Sequence, residues 1–391
     1  MIKQTTLIPK TFHGWGVARS LNMIIEPMNV RNILIIADPF LVSSGLITQV
    51  TDSLKSYQLS FFTEIDPEPS LALGEHIVNY TRNQNADLVI GIGGGSALDL
   101  AKIAATLATH EGEVSRYLNL TGDLKPTHKG LPKIMIPTTS GTGSEVTNLA
   151  VLSLAHSKDV IVSDHLLADV ALLDPSLTVT VPPRVTAATG VDALTHAIEA
   201  YLSINADPIT DQLALNAIEL INQSLFNAYK NGEDQQARTQ MSYGSYLAGI
   251  AFFNAGAGAV HALAYPLGGQ FHISHGESNA LLLPYVLTEI EVSAESRLAK
   301  IGEKMNLTLT GKSVNEAARM TVLAIQSLLQ SINIPSSLQF YEIEQQHLTN
   351  LATDAIKQQR LLVRTPKNLT ENDIFRIYSA AWHGKIELLQ N

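Results

Sequence analysis

The stretch Asp87-Leu88-Val89-Ile90-Gly91-Ile92-Gly93-Gly94-Gly95-Ser96 decides the fold of the first half of this chain. Its apolar run predicts a buried strand, its glycines predict a tight turn, and the apolar spacing of 96–109 predicts a helix. Strand–helix alternation is typical of a mostly parallel sheet with helices on both faces. Three further apolar runs extend the pattern, at 32–36, 59–63 and 133–136. The first half is therefore predicted to be an α/β domain.

The pair Pro182-Pro183 marks a change in the pattern of the sequence. Beyond it, strand patterns almost disappear and helical periodicity dominates. The predicted helices span 190–203, 209–229, 236–253, 257–267, 292–305, 314–331 and 371–389. We therefore predict two domains, an α/β domain at 1–183 and an all-α domain at 184–391.

Composition excludes several classes of protein. The 391 residues include no cysteine, so a disulfide framework, a thiol nucleophile and a thiolate metal site are all excluded. A net charge of −10 argues against nucleic acid or an anionic membrane as the main partner. The start of the chain lacks the pattern of a signal peptide, and we expect a cytoplasmic protein. The uncharged stretch 241–276 contains polar residues and many glycines, which favours a buried helix over a membrane span.

The glycine-rich turn is a candidate site for an anion. Glycines allow a ligand to approach the backbone, and the following helix offers free N–H groups and the positive end of its dipole. Ser96 and Asp99 have the spacing of an N-cap and its N3 residue. However, Ser96 stands where the dinucleotide fingerprint has its third glycine. A pyrophosphate site and a purely structural turn both remain open on this pattern alone.

A second polar loop follows the strand at 133–136. The segment 137–147 contains six hydroxyl residues and two glycines. Ligands of open α/β sheets bind beyond the carboxyl ends of the strands, so both loops are expected at one edge. Asp38 follows the strand at 32–36 and could accept the hydroxyls of an adenosine ribose, or it could simply cap a helix.

Four side chains of the second half form a candidate metal site. Asp192 and His196 are four residues apart, which places them on one face of a helix. Their apolar neighbours indicate that the helix is partly buried, and a buried carboxylate needs a partner. His261 lies in the uncharged stretch and His275 follows at the start of the next helix, with His272 as a rival. One carboxylate and three imidazoles suit Fe(II), Zn or a similar divalent ion.

These motifs together resemble the iron-containing (group III) alcohol dehydrogenases over essentially the whole chain. The resemblance rests on 91–96 with Asp99, on 137–147, on 192–199 and on 260–276, which occur in the order of that family. It implies an N-terminal Rossmann-like α/β domain, an all-α C-terminal domain and a cleft between them. It also implies NAD and Fe(II) as cofactors, with Zn or another divalent ion possible in purified protein.

The resemblance also assigns roles to individual residues. It implies that the metal ligands are Asp192, His196, His261 and His275. It implies that the residues along the cofactor are Gly94, Gly95, Ser96, Asp99, Thr138, Thr139, Thr142 and Thr147, with Lys158 near the nicotinamide ribose and Asp38 favouring NAD over NADP.

The chain departs from the family pattern at two places. Many members have a histidine where this chain has Tyr265, which could relay a proton or simply narrow the pocket. The segment 365–367 reads Thr-Pro-Lys where Asn-Pro-Arg is frequent. Phe252, Phe253 and Tyr265 indicate an apolar pocket of modest size.

The resemblance implies metal-dependent hydride transfer between NAD(H) and a small primary alcohol or aldehyde, a diol or a hydroxyaldehyde. It also implies a homodimer or a larger homo-oligomer. Two alternatives remain: a metal-independent enzyme similar to maleylacetate reductases, or a non-catalytic protein that binds a dinucleotide or a metal. A complete set of four metal ligands argues against the first, and the same set together with the cofactor loops argues against the second.

Overall fold

The computed structural model describes residues 4–154 and 158–389. Residues 6–181 form one compact unit. The chain from Pro182 onward forms the other, which also includes Gln4 and Thr5. All the strands in the described part of the chain lie before residue 174, as the sequence predicts.

The strands of the first unit are β1 Lys10–His13, β2 Asn32–Ala37, β3 Gln58–Phe62, β4 Leu88–Gly93, β5 Lys133–Pro137, β6 Leu149–Ser153, β7 Lys158–Val162 and β8 Val170–Leu173. Six of them form a parallel sheet in the order β1-β8-β5-β4-β2-β3, and β6 and β7 form a separate antiparallel pair. The helices of this unit are α1 Leu21–Ile25, α2 Pro39–Ser43, α3 Thr48–Thr51, α4 Leu71–Asn83 and α5 Gly95–Leu107. The short strands β1, β6, β7 and β8 do not figure in the sequence prediction.

The sheet is covered on both faces, because successive side chains of a strand point to opposite sides. In β2, Leu34 and Ile36 pack into one core, whereas Ile33 and Ile35 pack into the other. Gly91 in β4 allows α5 to pack close to the sheet, since a Cβ atom there would lie 2.6 Å from that of Ala101. The predicted parallel sheet with helices on both faces is confirmed.

The strand order reverses next to β2. From β2 the chain passes outward to β3, returns to form β4 on the other side of β2, and then continues through β5. Such a switch point opens a crevice at the carboxyl ends of the two flanking strands, where ligands of α/β proteins bind. Here the flanking strands are β2 and β4, which end at Asp38 and at the glycine-rich turn.

The second unit consists of helices packed around one apolar core. They are α6 Pro183–Leu202, α7 Pro208–Lys230, α8 Gln235–Ala255, α9 Ala259–Phe271, α10 His275–Lys304, α11 Val314–Ser331, α12 Leu348–Ala355, α13 Gln359–Leu362 and α14 Glu371–His383. Several predicted boundaries are wrong, and the helix predicted at 371–389 ends at His383, before Gly384. The helix predicted at 190–203 begins at Pro183, whose fixed φ suits a first helical position. The helix predicted at 292–305 is the second half of α10, which continues through Pro284.

The uncharged stretch 241–276 falls on the end of α8, on α9 and on the start of α10. Within residues 4–154 and 158–389, no single helix has both the length and the apolar character needed to cross a membrane. The pair α8 and α9 passes the same test by length and composition, with a bend of 102° between its two helices.

Candidate active site

Three helices of the second unit bring four ionisable side chains together. Asp192 and His196 come from α6, His261 from α9 and His275 from the first residue of α10. One potential ligand atom from each side chain lies within 4.8 Å of those of the other three. Asp192 Oδ1 is 3.9 Å from Nε2 of His261 and 3.8 Å from Nε2 of His275. The structure therefore assembles the four residues that the sequence proposes as metal ligands.

A glycine makes room for two side chains that pack against α6. Asp192 and His196 are one turn apart on this helix, as their spacing predicts, and both are buried. Six residues before His196, a Cβ atom on Gly190 would lie 2.4 Å from a terminal carbon of Leu225 in α7 and 2.9 Å from that of Met241 in α8. The glycine therefore leaves space for these two side chains between the helices.

Glycine also decides how His275 reaches the group. At Gly276, a Cβ atom would lie 2.7 Å from the backbone oxygen of Ala188 in α6. A larger residue would push the start of α10 away from α6. Since His275 is the preceding residue, this close contact sets the distance between its imidazole and Asp192.

Two further side chains contact the ligands, and neither is among the residues to which the sequence patterns give a role. Oε2 of Glu199 lies 2.6 Å from Nδ1 of His261, within hydrogen-bond distance. Asn279 Nδ2 lies 2.7 Å from Asp192 Oδ1, and it also faces Nε2 of His261 and of His275 at 3.2 and 3.1 Å. Helical spacing could have indicated both: Glu199 is seven residues after Asp192, and Asn279 is four after His275.

The charges of the group are mutually dependent. Burial disfavours the ionised form of Asp192, but the imidazoles of His196, His275 and His261 outweigh burial and lower the pKa of this carboxyl. Burial likewise disfavours a charged His261, but Glu199 and Asp192 outweigh it and raise the pKa of the imidazole. The group as a whole therefore favours a negative carboxylate facing positive charge.

The donor set fits a divalent cation. Nitrogen and carboxylate ligands bind such ions at about 2.0–2.2 Å, which places neighbouring donors roughly 3 to 4 Å apart. The separations of 3.9 and 3.8 Å from Asp192 Oδ1 lie in this range. Asn279 Oδ1 is buried without a hydrogen-bond partner in the described residues, because the amide turns its nitrogen toward the three ligand atoms. Oδ1 of Asp192 and Nε2 of His261 and of His275 therefore face one another as three acceptors, an arrangement that a bound cation would satisfy.

The surroundings of the group are aromatic on one side. The ring of Phe252 stacks on that of His196, with centroids 4.3 Å apart. The ring of Tyr265, which is half-buried, lies 6.1 Å from that of His275. His272, the rival ligand, is exposed and ends α9 with a left-handed backbone, outside the group.

The candidate cofactor residues lie at one edge of the sheet in the first unit. The register pairs Ala37 with Ile92 and Gly93 with Pro137, so β2, β4 and β5 end side by side. Asp38 and Thr138 follow directly, and each donates its backbone N–H to a carbonyl of β4. The two polar loops are therefore neighbours, as the sequence predicts.

The turn after β4 requires its glycines. Gly93 has a φ of 153°, and a Cβ atom on it would lie 2.7 Å from that of Ala97. A Cβ atom on Gly95 would lie 2.7 Å from Cγ2 of Thr142. Gly94, Gly95 and Ser96 are partly exposed at the start of α5, where free N–H groups suit an anion such as a pyrophosphate.

Ser96 does not cap α5, contrary to the prediction. The helix begins at Gly95, so Gly94 is its N-cap and Ser96 is the second helical residue. The hydroxyl of Ser96 instead accepts a hydrogen bond from the backbone of Glu68. The first turn of α5 therefore keeps N–H groups free of a side-chain cap.

Other residues of the predicted cofactor site are engaged within the protein. Asp99 is buried, pairs with Lys102 at 3.0 Å and accepts hydrogen bonds from the Ser144 hydroxyl and the Val151 backbone. The hydroxyl of Thr147 is also buried and bonds to Lys102. These contacts hold the loop 144–151 against α5, and so stabilise the edge of the sheet where the candidate cofactor residues lie.

Asp38, Thr139, Thr142 and Lys158 complete the predicted set. Asp38 Oδ1 accepts from the Phe40 backbone and caps α2, while its other carboxylate oxygen has no hydrogen bond within the described residues. Thr139 and Thr142 flank the glycine turn. Lys158 begins β7 and pairs with Glu68 at 2.7 Å.

Comparison with known proteins covers both units. Residues 9–175 match the family model described as iron-containing alcohol dehydrogenase, and residues 186–382 match the model of the C-terminal part of the Fe-containing alcohol dehydrogenase family.

Individual relatives match over nearly their full length. The chain is 54% identical to long-chain-alcohol dehydrogenase 1 of Geobacillus thermodenitrificans over 380 residues, which cover 97% of this chain and 96% of that protein. It is 33% identical to the NAD-dependent methanol dehydrogenase of Bacillus methanolicus, over 95% of this chain and 98% of that one. A crystal structure of 1,3-propanediol oxidoreductase superposes with a TM-score of 0.93 at 33% identity, over 98% of this chain and all of the other. The chain therefore belongs to the iron-containing alcohol dehydrogenase family and is an oxidoreductase.

Proposed function

We propose that Asp192, His196, His261 and His275 hold one divalent ion, Fe(II) in the active enzyme, and that the chain interconverts primary alcohols and aldehydes with NAD(H). The observation that carries this proposal is the convergence of one carboxylate and three imidazoles within 4.8 Å on three helices. Such an NO-donor set suits Fe(II) and Zn, and the chain has no cysteine to offer instead.

The protein supplies position and charge for this chemistry. When bound, the ion acts as a Lewis acid toward an alcohol or carbonyl oxygen, which favours hydride transfer to or from nicotinamide. Asp192 contributes the one formal negative charge of the ligand set, and Phe252 covers one side of His196 with an apolar ring. Tyr265 lies near His275 and is the candidate for a proton relay.

We assign the dinucleotide to the edge formed by β2, β4 and β5. The free N–H groups of Gly95 and Ser96 suit the pyrophosphate, and the second carboxylate oxygen of Asp38 suits a ribose hydroxyl. Gly94, Thr138, Thr139 and Thr142 line the same edge, and Lys158 is assigned to the ribose next to the nicotinamide. Asp99 and Thr147 act on the cofactor through the loop that they hold.

The substrate is proposed to be a primary alcohol or aldehyde whose carbon chain is apolar. The apolar face of Phe252 next to the metal group favours carbon over charge. Relatives are named for long-chain alcohols, for methanol and for 1,3-propanediol, so chain length has to be measured. We further propose that the enzyme is a homodimer or larger, to be tested by light scattering, and that it works in the cytoplasm.

The test is a substrate panel on protein reconstituted anaerobically with Fe(II). NADH oxidation is followed with unbranched aldehydes from formaldehyde to tetradecanal, with a carboxylated aldehyde as the charged comparison. Turnover of unbranched aldehydes above that of the charged one is expected. Tight NADH binding without turnover of any aldehyde would overturn the proposal and favour a non-catalytic protein.

A further inference from the structure

We propose that Glu199 is a positioning residue, which holds His261 in the one tautomer that can bind the metal ion. This inference rests on the proposed function, because it concerns a ligand of the proposed ion. Glu199 is on α6, one turn after His196, and His261 is on α9. The two residues are 62 positions apart in the chain, so their contact depends on the packing of the helices.

Both oxygens of the Glu199 carboxylate are engaged by α9. Oε1 accepts from the backbone N–H of Val260 at 2.6 Å, and Oε2 lies 2.6 Å from Nδ1 of His261. The side chain is only 6% exposed, so water does not compete for these bonds. A Cβ atom on Gly258 would lie 3.3 Å from Oε1, so the absence of a side chain there leaves room for the carboxylate. The carboxylate is thus fixed at two points.

This geometry selects the tautomer of His261. An ionised carboxylate only accepts hydrogen bonds, so Nδ1 of His261 must carry the proton. In the neutral imidazole, Nε2 then has the lone pair. Nε2 is the nitrogen that faces Asp192 Oδ1, and Asn279 Nδ2 lies 3.2 Å from it. Glu199 therefore directs the lone pair of His261 toward the proposed ion and increases its basicity.

An amide at position 199 would break this selection. The side chain of Gln has one oxygen and one NH2 group, whereas α9 presents two donors, the Val260 backbone N–H and Nδ1–H of His261. If the NH2 group faces His261, Nδ1 must become the acceptor and the proton moves to Nε2. If it faces Val260, two donors oppose each other in a buried place. Either arrangement weakens the metal site while the volume of the side chain is unchanged.

The experiment compares Glu199→Gln with the wild type and with Glu291→Gln. Glu291 is also a largely buried carboxylate, paired with Arg319 at 3.3 Å, but it lies sixteen residues after His275 on α10. At 1.5 Å per residue that is about 24 Å along the helix. Zn and Fe(II) affinities are measured by competition with a chromophoric chelator. We expect roughly 10- to 100-fold weaker binding in Glu199→Gln and no change in Glu291→Gln. Equal affinities in all three proteins would overturn the proposal.

A second measurement needs no substitution at position 199. Nitrogen NMR of the histidine-labelled, metal-free wild type, recorded at an alkaline pH at which the imidazoles are neutral, reports the tautomer of each imidazole, and the His261 signals are identified by their loss in His261→Ala. We expect a protonated Nδ1 and a bare Nε2 for His261. The opposite tautomer would refute the role of Glu199 even if the Gln variant fails to fold.

The two measurements separate this inference from the proposed function. A wild type that binds no divalent ion, yet shows the expected tautomer, would remove the metal site and leave the contact with Glu199 intact. A wild type that binds the ion tightly, with the opposite tautomer, would remove only the inference about Glu199.

Discussion

His261 combines two contacts that can be tested by its removal. Its Nε2 faces the proposed ion and its Nδ1 is held by Glu199. We predict that His261→Ala loses the ion and the activity but still binds NAD, since the dinucleotide is assigned to the other unit. Metal analysis and fluorescence titration with NADH measure the two effects. The matched control is His272→Ala, which removes an exposed imidazole at the other end of the same helix and should keep the ion. Full metal occupancy in His261→Ala would show that His261 is not a ligand of the ion.

Asp38 is expected to make the enzyme prefer NAD to NADP. One carboxylate oxygen of Asp38 caps α2, and the other is available for a ribose hydroxyl. Asp38→Gly should relax the preference by about 1–3 kcal/mol, the scale of a hydrogen bond to a charged group. Loss of the cap itself costs only a few tenths of a kcal/mol with Gly. Kinetics with both cofactors provide the measure, as the ratio of kcat/KM for NADH to that for NADPH.

Asp38→Asn separates the two contributions to this preference. Asn can still cap α2 and bond to the ribose, but it does not repel the extra phosphate of NADP. Its effect should therefore fall between those of the wild type and Asp38→Gly. Should the wild type itself use NADPH better than NADH, the role assigned to Asp38 is wrong.

At the scale of elements, the loop 144–151 is fixed to α5 by a buried cluster of charges. Lys102 is fully buried, pairs with Asp99 and donates to carbonyl oxygens of Ser144 and Leu149. Glu145 is buried beside them, and burial raises the pKa of its carboxyl to about 7, although its own backbone N–H and Lys102 act in the opposite direction. Because the pKa of this carboxyl is raised in the folded protein, its contribution to the free energy of unfolding is largest at pH values at which it is protonated.

The cluster predicts a specific dependence of stability on pH. Between the ordinary pKa of 4.5 and the folded value of about 7, the folded protein holds a proton that the unfolded chain releases. The contribution of Glu145 to the free energy of unfolding therefore falls as pH rises through this window, and the loss is complete above it. Glu145→Gln should remove the loss and stabilise the protein on the order of 2 kcal/mol at about pH 8, with little effect near pH 5. Calorimetry at both pH values measures it.

The control for this prediction is Glu111→Gln, which replaces an exposed carboxylate in the same unit. It should leave the pH dependence of unfolding unchanged. An equal gain in stability from Glu145→Gln at both pH values would show that packing, and not the charge of Glu145, is responsible.

Which divalent ion the whole molecule carries depends on which ions are available to it and not on the needs of the reaction. The ligand set contains nitrogen and oxygen only, and Zn binds such a site more tightly than Fe(II). We predict that protein purified in air carries Zn, nickel from an affinity column or no metal, and that anaerobic addition of Fe(II) raises its activity. Peroxide should then inactivate it through oxidation of the iron. Elemental analysis and NADH assays before and after each treatment test the sequence of events.

One result would contradict the metal mechanism as a whole. Suppose that the purified protein is fully active, does not respond to chelators and gains nothing from any divalent ion. The ligand group would then have another role, and the metal-independent reductase would replace the proposed enzyme.

Local patterns in the chain are enough to predict the two fold classes and the chemistry of the candidate site. Periodicity is encoded locally, so the alternation around 87–109 predicts a parallel sheet and the pattern after Pro182 predicts helices. The spacing of Asp192 and His196 is equally local, since four residues span one helical turn. The absence of cysteine limits the ligand types without reference to any contact.

Which distant residues meet depends on how the helices and loops pack. His275 rather than His272 joins the group, because Gly276 lets the start of α10 contact Ala188 of α6. Glu199 contacts His261 although the two are 62 residues apart in the chain. Asp99, predicted to lie along the cofactor, forms an ion pair with Lys102 and accepts a hydrogen bond from the loop 144–151. Local patterns specify which face of a helix is polar. The packing of helices and loops specifies what that face touches, because such contacts join residues far apart in the chain.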